Sequence, residues 1–82
     1  MPTILYFQGW RFFFYSNEGN EPIHIHAEKA DMECKFWINE HDFTIELSFA
    51  FNMSSDKTKE VSEIINDNLE KIIRSWHKYF KQ

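Results

Sequence analysis

His24-Ile25-His26 sets two imidazoles at i and i+2, the spacing that puts both side chains on one face of an extended strand. Glu28 continues that face two residues on. Two histidines at this spacing can share a divalent metal, with a third ligand from Glu28, from His41 in a following loop, or from another chain. The same residues suit metal-free acid–base chemistry. One imidazole takes a proton while the other, or Lys35, gives one or steadies a developing charge, as metal-independent ribonucleases require. Arg11 or a tyrosine could assist. A third reading is structural: the pair hydrogen-bonds the adjoining loop and stacks on Trp37. Apart from a divalent metal, no cofactor is expected.

Other chemistries have no footing in the sequence. It carries no helical H-E-x-x-H pair, no Gly-rich phosphate loop and no nucleophile elbow. The lone cysteine, Cys34, falls on an apolar strand face, where a thiol is usually inert core. The loop Asn17-Glu18-Gly19-Asn20-Glu21-Pro22 is acidic, yet its carboxylates do not follow a calcium loop, and it reads as a solvent-facing turn. A net charge of −4 weakens a nucleic-acid reading, since phosphate binding draws on clustered lysine and arginine. Lys71, Arg74, Lys78 and Lys81 gather near the end of the last helix, where the macrodipole already favours cations.

The elements that must position the histidines follow from patterning. Residues 3–7 and 10–15 are rich in β-branched and aromatic side chains and flank Gln8-Gly9, which predicts a hairpin. A second hairpin pairs 23–28 with 33–39. Its opposed residues are Ile23 with Ile38, Ile25 with Phe36 and Ala27 with Cys34, while His24 meets Trp37, His26 meets Lys35 and Glu28 meets Glu33. One face is then apolar and the other holds every polar group, so a slip of one residue would bury the wrong set. Residues 43–51 alternate strictly, with Phe43, Ile45, Leu47, Phe49 and Phe51 on one side. Beyond Ser54-Ser55-Asp56, apolar residues from Val61 to Phe80 recur with a 3.6-residue period, predicting one long amphipathic helix over about 56–80, interrupted in polarity only at Asn68. The fold class is α+β: an antiparallel sheet of about five strands, two hairpins plus one, covered by a single C-terminal helix.

With 82 residues, 43% of them hydrophobic and 18% aromatic, the chain suits one domain (1–82) with a ring-rich core. A single cysteine rules out an internal disulfide, and together with the absence of a signal-like start or an apolar run of membrane length it points to the cytoplasm and away from the membrane. The first hairpin has rings on both faces, whereas one helix covers only one. Either strong sheet curvature buries both sets within the monomer, or a homo-oligomer or a protein partner covers the second face.

Met1-Pro-Thr-Ile, Arg11-Phe-Phe-Phe-Tyr-Ser-Asn-Glu-Gly-Asn-Glu-Pro22, His24-Ile-His26, Glu28-Lys29, Lys35-Phe-Trp37, Trp76 and Tyr79-Phe80 resemble small bacterial proteins grouped as domain of unknown function 4160. Two features depart from that pattern: Ile23 stands where a second proline is common, and 43–51 replaces a shorter linker. The resemblance implies a gene beside that of another short protein, as in toxin–antitoxin-type modules. On that expectation the chain is a toxin-like member acting on RNA or a host protein through His24, His26 and Lys35. A non-enzymatic interaction module and a divalent-metal-binding protein are the alternatives. The resemblance brings no assigned catalytic residues.

Overall fold

The computed structural model describes residues 3–80; Lys81 of the basic cluster lies outside them. Five strands, β1 (Thr3–Phe7), β2 (Trp10–Phe13), β3 (His24–Lys29), β4 (Met32–Asn39) and β5 (Thr44–Phe51), form one antiparallel sheet in chain order. Two helices follow, α1 (Ser55–Asp67) and α2 (Leu69–Phe80).

Gln8 and Gly9 close the first hairpin with φ of 52° and 85°, the pair of positive values that matches the twist of the flanking strands. The β3–β4 register is the one that hydrophobic patterning demands: His24 opposite Trp37, Ile25 opposite Phe36, His26 opposite Lys35 and Ala27 opposite Cys34. Trp10, Phe12 and Phe14 join Ile25, Ala27, Cys34 and Phe36 on the face beneath the helices, where Val61, Ile65, Ile72 and Trp76 complete the core. Phe14 meets Trp76 edge-on at 5.1 Å between centroids.

Three expectations need correction. The helix is divided at Asn68, whose φ of −121° is not helical. Its side-chain amide donates to the Ile64 carbonyl at 2.8 Å. The backbone N–H that would have taken that carbonyl turns to Ile65 at 3.1 Å instead, a tighter i−3 bond that breaks the α ladder. The polar interruption in the periodicity is thus the joint itself. The first hairpin is shorter than its composition suggests, because Phe14 and Tyr15 leave the sheet to begin the loop toward Pro22.

The third correction bears on the site. β5 does not alternate strictly. Lys35 pairs with Phe49 and Phe36 with Leu47, so Ser48 is an extra residue, and a bulge of this kind reverses the facing of everything beyond it. Ile45 and Leu47 stay on the helix side, opposite Ile38 and Phe36, while Phe49 and Phe51 swing to the other face, opposite Lys35 and Glu33. Phe43 stands in the turn before the strand with φ of 56°.

Candidate functional site

On the sheet face away from the helices, β3 and β4 bring His24, His26, Lys35 and Trp37 together, as alternation requires. The loop from Ser16 to Pro22 does not stand out in solvent. It folds back over this face as a strap, and both of its carboxylates turn inward. Glu18 Oε1 lies 2.7 Å from His24 Nε2 and 2.9 Å from His26 Nε2. Lys35 Nζ donates to Glu21 Oε1 at 3.0 Å and lies 4.2 Å from the centroid of the Trp37 ring. Under the strap His24 is 0% and His26 3% exposed.

Rings frame the two imidazoles. His24 packs edge-on against Trp37 at 5.5 Å and Trp76 at 5.0 Å, while His26 stacks on Phe13 at 5.4 Å with Tyr15 at its edge, 4.6 Å away. Tyr15 Oη donates to Glu33 Oε2 at 3.4 Å, and His26 Nδ1 approaches the same oxygen at 3.7 Å. That distance is too long for a hydrogen bond, and His26 Nδ1 is buried with no partner.

The electrostatics follow from this enclosure. Burial raises the Glu18 carboxyl, but hydrogen bonds with His24 and His26 outweigh it, so Glu18 titrates below the usual carboxylate range. Burial also holds His26 below an ordinary imidazole, against the opposing pull of Glu18, which favours a neutral ring. Tyr15 is raised, first by burial and then by the charge of Glu33. Cys34 sits between strands on the helix face, where burial pushes its thiol up to about 12. At that value the nucleophilic thiolate is essentially absent at neutral pH.

Of the residues that patterning singled out, the structure unites His24, His26, Lys35 and Trp37. Glu28 goes elsewhere: its Oε1 takes the Arg11 guanidinium at 2.7 Å, and Arg11 also lies 4.3 Å from the centroid of the Phe13 ring. His41 lies on an open cleft of about 400 Å³ formed with Glu21, Pro22, Asn39 and Glu40. Neither imidazole of the His24–His26 pair lines that cleft. The residue that patterning passed over is Glu18. Among the described residues, the ligand-type group is Glu18, His24 and His26, one donor atom from each lying within 4.8 Å of the others.

A family model for a domain of unknown function, DUF4160, matches residues 9–77. The chain belongs to this family. The DUF4160 match spans the whole site, from the strap through β3 and β4 to Trp76. No curated protein and no solved structure matches the chain. Among the described residues of this DUF4160 chain, no helix is long and apolar enough to cross a membrane.

Proposed function

We propose that the protein is a non-enzymatic interaction module that docks a basic, apolar segment of a second protein against β5. The observation that carries this reading is exposure. On the strap side of β5 Phe49 and Phe51 are 42% and 63% exposed, while Leu47 is 44% exposed on the helix side and Phe43 55% in the turn that leads into the strand. Apolar surface gathered in this way marks an interaction site more often than an isolated exposed leucine does.

Charge favours a cationic partner over a second copy. Residues 31–51 hold five carboxylates, Asp31, Glu33, Glu40, Asp42 and Glu46, and the only lysine or arginine among them, Lys35, is already paired with Glu21. Two copies joined here would set like charges against each other. The Ser48 bulge interrupts the edge, which works against continuous strand addition and leaves the side chains to make the contact. The short neighbouring protein implied by the family resemblance is the natural partner to try. Mixed with it, the chain should form a complex by light scattering that weakens with salt and is lost in Phe49→Ser/Phe51→Ser. A dimer of the chain alone at micromolar concentration, or a complex indifferent to that double substitution, overturns the proposal.

The second reading is toxin-like action on RNA or a host protein through His24, His26 and Lys35. It is supported by a neutral imidazole beside Tyr15 and Lys35, and it requires the strap to lift, since both imidazoles are enclosed. Growth arrest on expression of the wild type, absent with His24→Ala/His26→Ala, is the expected result; equal arrest, or none, counts against it.

A further inference from the structure

With both histidine rings neutral, their protons cannot all be placed satisfactorily around Glu18. His24 Nδ1 lies 2.8 Å from the Pro22 carbonyl oxygen, which has only lone pairs to offer, so Nδ1 carries a proton and donates it. In a neutral ring Nε2 is then a bare lone pair, and it faces a carboxylate oxygen at 2.7 Å. Two lone pairs at that distance repel. Either His24 is an imidazolium with 0% exposure, or a cation belongs between them.

His26 poses the complementary difficulty. If its Nε2–H donates to Glu18 at 2.9 Å, the lone pair of Nδ1 is left buried without a donor and aimed at the Glu33 carboxylate at 3.7 Å. With a cation on Nε2, the proton moves to Nδ1 and points at Glu33. This is the usual outer arrangement of a metal-bound histidine, whose second nitrogen donates to a carboxylate or backbone carbonyl. One ion on the Glu18 side therefore resolves both rings: His24 is oriented by a backbone carbonyl and His26 by a carboxylate.

We propose that Glu18 Oε1, His24 Nε2 and His26 Nε2 form a binding site for a first-row divalent cation of the zinc class, with a fourth position open to water. Two imidazoles with one carboxylate suit zinc and its neighbours, whereas magnesium and calcium prefer all-oxygen shells. Zinc–ligand lengths of about 2.0–2.2 Å at a tetrahedral angle place N and O about 3.3 Å apart. Glu18 therefore moves outward by about half an ångström when the ion enters, a shift within reach of a loop side chain, and the two imidazole nitrogens, within 4.8 Å of each other without it, settle to the same spacing. The ligands include none of the β5 residues assigned to docking, and although the Phe49 ring lies 6.4 Å from His26, zinc uptake and partner binding are read on different variants, so each reading fails or stands alone.

The test uses the whole untagged chain, stripped with a chelator and titrated with zinc alone. One equivalent should bind by calorimetry, cobalt should give the visible bands of a four-coordinate site, and the melting temperature should rise with zinc concentration. Long-range proton–nitrogen spectra should show His26 protonated on Nδ1 in the zinc form. Glu18→Gln should weaken zinc binding at least about ten-fold with an unchanged circular dichroism spectrum, while Glu28→Gln, whose carboxylate serves Arg11, binds as the wild type does. A folded wild type that takes up no zinc overturns the site, as does Glu18→Gln with wild-type affinity. If Glu18→Gln fails to fold, the wild-type tautomer decides: Nδ1–H on His26 supports the site, and imidazole signals that ignore zinc overturn it.

Discussion

Under the helices the sheet is dry: Phe12, Ile25, Ala27 and Cys34 are fully buried against Val61, Ile65, Ile72 and Trp76. On its opposite face the same strands carry His24, His26 and Lys35, and what excludes water there is a short loop with two carboxylates together with the rings of Phe13, Tyr15, Trp37 and Trp76. The first closure is non-directional and scales with area. The second depends on Glu18 and Glu21 meeting particular nitrogens, so it holds its residues in fixed positions while contributing less to stability. A face built in that way is suited to a site; a face built in the other is suited to holding the fold together.

Three substitutions can break or sharpen this contrast. Phe12→Ala should be the most damaging, at about 3–5 kcal/mol in urea unfolding, because a fully buried ring leaves a cavity between sheet and helix. A cost comparable to that of a surface change would mean that the helix face is not the main source of stability. Glu21→Gln should cost about 1–2 kcal/mol, since the half-exposed carboxylate is a charged partner of a largely buried lysine and solvent screens part of the loss. If it cost as much as Phe12→Ala, the two faces would contribute equally.

The smallest effect concerns a polar contact at the rim of the dry face, where the Trp10 indole N–H donates to Glu60 on α1 at 2.8 Å. That bond holds the Glu60 carboxyl below its ordinary value of 4.5. A carboxyl lowered on folding stabilises the protein above its unfolded pKa, and the contribution is lost as pH falls through the folded value. Glu60→Gln should therefore lower the neutral-pH urea midpoint slightly and flatten its decline below about pH 4.5, the variant and the wild type converging in acid. An unchanged acid limb would remove Glu60 from the account.

Period-two and period-3.6 patterns place residues on faces, and this is why the β3–β4 register and the apolar face of the helices were legible in the sequence. They say nothing about a loop that returns over its own sheet. Glu18 reads as part of a turn because Ser16-Asn17 and Gly19-Asn20 are turn formers, and the only hint of its role is that two carboxylates lie three residues apart just before two histidines. Ser48 is harder still. The side chains of β5 alternate in sequence without a fault, and the bulge shows only in the pairing with β4, where the neighbours Lys35 and Phe36 meet Phe49 and Leu47. Asn68 was visible as a polar residue in an apolar stripe, but whether such a residue faces solvent or takes a backbone carbonyl depends on packing that periodicity does not encode.

The chain-order arrangement of the sheet has a consequence for how the protein is made. Each strand pairs with its neighbour in sequence, so little loop entropy opposes pairing, and hairpins of this kind close in about 1–10 μs. The helices come last. Residues 55–80 take roughly one to five seconds to synthesise at about 5–20 residues per second, and during that interval an already paired sheet has Trp10, Phe12 and Phe36 uncovered. A nascent chain stalled before Trp76 would therefore present the apolar face that the helices cover in the finished fold.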